Sequence, residues 1–244
     1  MVEKVEEKVQ VAKDLISLVK NVDDQTIVID GGYYRGNFSK YVVRAFHSPI
    51  ILAFEPDPIS FERAKKKFSS DPRIEIVNAA LGDQMGQAEF FRGPYPGTNS
   101  LFPRPSDGLK PYFPKQAYLE GGTSVEVVTL DHECNTRGIE SIDLLKLDLQ
   151  GGELMALEGA KTLLAAGAIK VILLEAMFVR KYKDQPLLWQ IWQFLENFEY
   201  TFYALGELKI GPYENDEKGM RQGQWNHCDV IFISNPLRII LDSS

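Results

Sequence analysis

Five short apolar runs each close on an acid or an amide: TIVID at Thr26 to Asp30, IILAFE at Ile50 to Glu55, IEIVN at Ile74 to Asn78, IDLLKLD at Ile142 to Asp148 and KVILLE at Lys170 to Glu175. Between them lie segments with apolar residues at helical spacing: Ser39 to Phe46, a stretch from Asp57-Pro58 to Phe68, and Glu153 to Ala166, which stops at Gly167. Asp57 has the chemistry of an N-cap, and Pro58 suits the first helical position. Strands that are apolar on both faces need cover on both faces, and right-handed crossovers supply it with helices. The alternation therefore specifies a doubly wound α/β fold built on a mostly parallel sheet. Ligands of such sheets bind beyond the carboxyl ends of the strands. That directs attention to Asp30, Glu55, Asn78, Asp148 and Glu175.

Around this frame, Ala88 to Phe91 and Val125 to Leu130 read as added strands, Leu187 to Asn197 as a further helix, and Tyr200 to Leu205 and Asp229 to Ser234 as the last two strands. Trp189 and Trp192 stand at helical spacing and are expected in the core. Residues 92–123 carry six of the 13 prolines, so they cannot be regular helix or central strand and are expected to form a long lid across the strand ends. At 244 residues the chain suits one α/β domain over residues 1–244, opened by an amphipathic helix over 1–22 that places Val5, Val9, Ala12, Ile16 and Val19 on one face.

A net charge of −7 works against nucleic acid, whose binding depends on Lys and Arg displacing counterions. No run has membrane-spanning length, so no membrane partner is expected. The two cysteines do not suggest a disulfide framework, and the expected location is the cytoplasm. No His and Cys spacing suits zinc, and the scattered acids specify no other metal. Nothing in the sequence sets an oligomeric state.

Asp30-Gly31-Gly32-Tyr33-Tyr34-Arg35-Gly36-Asn37 joins the end of the first strand to the start of a helix, where positions without side chains let backbone amides approach a ligand. Glu55 follows 25 residues after Asp30, at the end of the next strand, where an acid can accept hydrogen bonds from both hydroxyls of a ribose. A nicotinamide dinucleotide would meet the same two features. The Gly-x-Gly-x-x-Gly fingerprint that fits a pyrophosphate is absent, which favours S-adenosylmethionine, a nucleoside whose charged end is an amino acid.

The segments VIDGGYYRGNFS, AFEPDP, NAALGDQMGQAEFF, TLD and IDLLKLDLQGGELMALEGA, in that order, resemble the FkbM-type methyltransferases from about Ile27 to Glu175. The resemblance implies a Rossmann-like class I methyltransferase fold: a mostly parallel seven-stranded sheet with an antiparallel last strand, preceded by the N-terminal helix. It also implies S-adenosyl-L-methionine as cofactor and O-methylation of a hydroxyl on a sugar, glycoside or secondary metabolite, so the partner is a small-molecule or glycan acceptor. Carried over by position, Asp30, Gly32 and Gly36 match the glycine loop, Glu55 the ribose acid, and Lys146, Asp148 and Glu153 the fourth-strand motif. Members commonly have an acid followed by Gly-Ala where this chain has Gln150-Gly151-Gly152. That departure keeps a non-catalytic cofactor-binding module in view, beside a nicotinamide-dependent oxidoreductase.

The residues expected at the cofactor are Asp30, Gly31, Gly32, Gly36, Asn37, Phe38, Glu55, Pro56, Asn78, Ala80 and Asp148. An alcohol must lose its proton on methylation, and a positioned base contributes about 10²–10⁴-fold. Asp148 is the first candidate, with Lys146 two residues earlier on the same strand face. His227, just before the last strand, and Glu175, at the end of the fifth, are the others. Asn99, Ser100 and Glu153 are expected to contact the acceptor, and Tyr95, Phe102, Tyr112 and Phe113 have rings suited to stacking on a sugar.

Overall fold

The computed structural model describes residues 25–68, 70–93, 96–104, 122–206, 208–211 and 224–243. The expected helix over 1–22, Tyr95, Tyr112, Phe113 and much of the lid lie outside the described residues.

The described chain opens with β1 (Thr26–Gly31), α1 (Asn37–Ala45), β2 (Pro49–Phe54), α2 (Pro58–Phe68) and β3 (Ile74–Val77). After the interruption at the lid come α3 (Leu130–Arg137), β7 (Ile142–Leu147) and β8 (Ile169–Met177). β1 pairs in parallel with β2 on one side and β7 on the other, β2 with β3, and β7 with β8. The long β11 (Gln224–Ile233) runs antiparallel against β8, and β9 (Thr201–Leu205) and β10 (Lys209–Gly211) lie end to end along its far side. The eight strands thus fill seven places, because β9 and β10 share one. Among the described strands of this sheet, β11 alone opposes the direction of the rest.

Alternate residues of each central strand feed opposite cores, as the two-residue period of a strand requires. Ile29, Leu52, Phe54, Leu145, Leu147, Ile172 and Leu174 pack on one side of the sheet. Val28, Ile51, Ala53, Leu144, Val171 and Leu173 pack on the other. Each of these Val, Leu, Ile and Phe side chains, fully buried, contributes about 1.5–3 kcal/mol relative to exposure.

Several elements differ from the sequence reading. The strand expected over Val125 to Leu130 is β6 (Gly122–Val128); Thr129 ends it by capping α3, its hydroxyl accepting the His132 N–H at 3.2 Å. With β4 (Ala80–Leu81) and β5 (Gly86–Phe91), β6 forms a separate three-stranded sheet. The single helix expected from Glu153 to Ala166 is two, α4 (Glu153–Glu158) and α5 (Lys161–Ala165). The break falls at Gly159, where a Cβ would stand 2.0 Å from the Gly82 carbonyl oxygen and where the carbonyl accepts the Asp131 N–H. In α6 (Leu188–Glu196), Trp192 stacks on Phe202 at 4.7 Å, while Trp189 is 58% exposed and outside the core. α7 (Asn235–Asp242) closes the described chain. No helix among the described residues is long and apolar enough to cross a membrane.

Candidate active site

The β1–α1 turn passes through three left-handed residues, Gly32 (φ +82°), Tyr34 (φ +51°) and Gly36 (φ +65°). Gly32 is held to glycine twice over. Its φ is unfavourable for a side chain, and a Cβ would lie 2.0 Å from the Asp148 carbonyl oxygen. The turn therefore touches the end of β7 directly, and the Asp148 N–H donates to the Gly31 carbonyl at 3.1 Å.

Lys146 fastens the same junction. Its ammonium donates to Asp30 Oδ1 (3.0 Å), Gly31 O (3.0 Å) and Gly32 O (2.8 Å), so all three N–H bonds are used. Asp30 Oδ2 accepts from the Ser39 hydroxyl at 2.6 Å, and Asp30 has no exposed surface. Neither residue faces the cleft. Asp30, expected as a cofactor ligand, and Lys146, expected as a catalytic group, pair as a buried strut. Gly31, Gly36 and Phe38 likewise build the turn, Phe38 packing 5.8 Å beneath the Lys146 ammonium.

Glu55 stands at the end of β2, 6% exposed, gripped by two backbone donors. Tyr34 N–H meets Oε2 at 2.7 Å and Asp57 N–H meets Oε1 at 2.9 Å. Each oxygen keeps a second lone pair. Burial pushes the carboxyl up to about 7, against the two backbone hydrogen bonds that lower it. Asn78 does not reach the cleft; its amide donates to the Glu55 and Pro56 carbonyls and fixes the β2 end. Asp57 caps α2 through Oδ1, while Oδ2 accepts from Arg92 Nε at 2.6 Å and Asn99 Nδ2 at 3.3 Å, tying the start of the lid to the sheet.

Gly32, Glu55, Pro56, Ala80, Asn99 and Asp148, all anticipated, line one cleft. The sequence reading missed its apolar walls, Phe54, Leu81, Phe90 and Leu101, and missed Tyr34 as a lining residue. The cleft thus offers an apolar slot beside Glu55 and a polar end at Asp148 and Gln150. Asn37 lies elsewhere, in a second cleft described below.

Ser100 and Glu153, expected at the acceptor, make hydrogen bonds within the protein. Ser100 is buried, donating to the Gln150 carbonyl (2.8 Å) and accepting the Phe102 N–H (2.9 Å), so it clips the lid to the β7 loop. Glu153, 2% exposed, accepts the Leu149 and Gly151 N–H groups at 2.7 and 3.0 Å. Burial raises its carboxyl to about 8, and the charges of Glu175 and Asp148 add to the rise.

Gln150, left-handed at φ +55°, sits among the remaining acids. Its Nε2 donates to Asp148 Oδ1 and Glu175 Oε2, both at 3.0 Å, and its Oε1 lies 3.0 Å from the Tyr182 hydroxyl. Glu175 Oε1 is 3.5 Å from His227 Nε2, and Lys181 Nζ is 3.1 Å from His227 Nδ1. His227 lies within β11, opposite Met177, and not before the last strand. Asn226 Oδ1 also stands 3.2 Å from Nδ1, so both ring nitrogens are engaged. Of the four catalytic candidates, Asp148 is the one that lines the cleft. Lys181, Tyr182 and Gln150 were not singled out as members of this cluster from the sequence.

Residues 30–202 match the Methyltransferase FkbM domain. The chain is 26% identical over 196 residues to the 2-O-methyltransferase NoeI of Sinorhizobium fredii (strain NBRC 101917 / NGR234), covering 78% of each protein. It is 27% identical over 162 residues to the methyltransferase sdnD of Sordaria araneosa, covering 58% of this chain and 62% of that one. Among solved structures, the METTL16 MTase domain superposes with a TM-score of 0.50 at 12% identity, over 96% of this chain and 68% of that one, a likeness of fold.

Proposed function

The chain belongs to the FkbM methyltransferase family, and on that premise we propose that it transfers a methyl group from S-adenosylmethionine to a hydroxyl oxygen of a sugar, glycoside or secondary metabolite. Family membership sets aside the nicotinamide-dependent alternative. The observation that carries the reading is the Glu55 carboxylate, held by Tyr34 and Asp57 N–H groups beside an apolar slot, with Asp148 lining the same cleft. The 2-O-methyltransferase named among the relatives supports oxygen as the target.

The donor set fits this cofactor. Glu55 would receive the two ribose hydroxyls on its remaining lone pairs, Phe54, Leu81 and Phe90 would flank the adenine, and the turn at Gly32 would meet the amino-acid end. When bound, S-adenosylmethionine supplies an electrophilic methyl group on a sulfonium. The protein's own part is positioning, exclusion of water and removal of one proton. Asp148 is the base: its Oδ1 is fixed by Gln150, which orients the carboxylate towards an acceptor hydroxyl, while Glu175, itself 3.5 Å from His227, holds the same Gln150 amide. Gln150 is therefore a positioning residue, and its departure from the family pattern does not remove the base.

Incubation with methyl-labelled cofactor and a panel of glycosides, sugar nucleotides and phenolic metabolites tests the proposal. Label is expected in an ether, stable to mild base. Label transferred to nitrogen, or no cofactor binding at millimolar concentration, would rule the reading out.

A further inference from the structure

A second cleft of about 310 Å³ opens on the outer side of the glycine turn, between α1 and α2. Arg35, Arg63 and Lys67 line it, together with the polar side chains of Asn37 and Ser60. Among the described residues no carboxylate lines it, and neither Arg35 nor Arg63 has an ion-pair partner. Lys67 donates to the Arg35 carbonyl at 2.8 Å, which holds the ammonium at the mouth, and burial together with the nearby Lys40 charge lowers its basicity. Arg35 before α1 and Arg63 and Lys67 on α2 bring three cations to one cleft beside the start of α1, whose N-terminal N–H groups have no side-chain cap among the described residues, which makes the cleft positive.

A second observation points to a ligand there. Tyr33 lines the same cleft, is 3% exposed, and its hydroxyl is buried without a hydrogen-bond partner among the described residues. An unpaired buried hydroxyl is costly, so such a group invites a ligand that completes it. Gly36 leaves room for it: a Cβ there would fall 2.1 Å from the Tyr33 hydroxyl. Burial, and then the charges of Asp30 and Glu55, push the phenol well above its ordinary range, so Tyr33 keeps its proton and presents a donor. Cations, helix N–H groups and a phenol donor together form a site for an oxyanion.

Tyr34 is the wall shared by this cleft and the methyl-transfer cleft, and Arg35 lies over its ring at 5.1 Å. We propose that the Tyr33–Arg35–Arg63–Lys67 cleft is an anion subsite that takes a phosphate group of the acceptor, so that the acceptor is a phosphorylated sugar or metabolite reaching across Tyr34. The assignment of the phosphate to the acceptor rests on the function proposed above; binding of the anion itself does not.

The test is calorimetric titration of inorganic pyrophosphate into the protein saturated with S-adenosylhomocysteine, comparing wild type with Arg63→Ala, Arg63→Glu and Tyr33→Phe. Arg63 is exposed on α2, so its variants should fold. Wild type is expected to bind, Arg63→Ala to bind about tenfold more weakly, Tyr33→Phe to weaken, and Arg63→Glu to lose binding, with S-adenosylhomocysteine affinity unchanged in both Arg63 variants. No pyrophosphate binding by wild type, or equal binding by Arg63→Glu, would overturn the subsite. A parallel titration with a sugar 1-phosphate and the same free sugar is expected to favour the phosphate ester by a factor that Arg63→Glu erases. Equal affinity for the two would overturn the acceptor assignment alone. Failure of wild type to bind S-adenosylhomocysteine would instead count against the main cleft and leave the pyrophosphate result standing.

Discussion

Asp30 and Lys146 are register partners on β1 and β7, and their side chains meet at 3.0 Å in the buried floor of the glycine turn. Because the same ammonium also ties down the Gly31 and Gly32 carbonyls, the pair converts sheet register into the shape of a ligand-binding loop. Removing one partner strands a buried charge, which typically costs about 3–5 kcal/mol. Lys146→Ala is therefore expected to lower the unfolding free energy by about 3 kcal/mol or more in urea titration and to weaken cofactor binding with it. A variant of full stability with reduced turnover alone would return Lys146 to the catalytic group.

The pH dependence of stability follows from two buried carboxyls. In the folded chain Glu55 holds its proton up to about pH 7 and Glu153 up to about pH 8, against 4.5 for the ordinary group. The folded state thus binds more protons than the unfolded state through this range, and stability falls as pH rises, by about 1.4 kcal/mol per unit per proton held. The melting temperature is expected to decline from about pH 5 to about pH 8, and the upper part of the slope to flatten in Glu153→Gln. A melting temperature rising steadily over that interval would show that neither carboxyl holds its proton.

Asp148 is expected to carry the proton transfer. Asp148→Asn should reduce kcat by about 10²–10⁴-fold while leaving S-adenosylhomocysteine affinity within a few-fold of wild type. Single-turnover kinetics with a responsive acceptor measures the first, calorimetry the second. A mild effect on kcat paired with lost cofactor affinity would make the carboxylate a cofactor ligand alone.

Gln150 donates one amide nitrogen to two carboxylates, Asp148 and Glu175. Replacing it with an acid would place like charges together, and one of them would take up a proton near neutrality. Gln150→Glu is expected to move the acidic limb of the pH–rate profile upward and to lower kcat at neutral pH by about tenfold. An unchanged profile would mean that Gln150 does not position Asp148.

The central strands and the cleft's acids were legible because they are local. Runs such as IILAFE report burial, and an acid closing each run reports a strand end. What each end faces is set by register, which the residues alone do not reveal. Lys146 and Asp148 share a strand face on paper, yet the strand stops at Leu147, so Lys146 faces the Asp30 strut while Asp148 reaches the cleft. The apolar walls were hidden for a related reason. Leu81 and Phe90 are brought to the cleft by the small sheet β4–β6–β5, whose pairing bridges the lid. His227 was placed outside its strand because Asn226 and His227 break the apolar run, although the backbone continues through them as β11.

Calorimetric titration of S-adenosylhomocysteine into wild type and Glu55→Gln tests the account at its base. The amide keeps the size of the side chain but offers one acceptor oxygen in place of two. Loss of a charge-assisted hydrogen bond to ribose predicts affinity lower by about 10–100-fold, with circular dichroism unchanged. Affinity within twofold of wild type would contradict the placement of the nucleoside against Glu55.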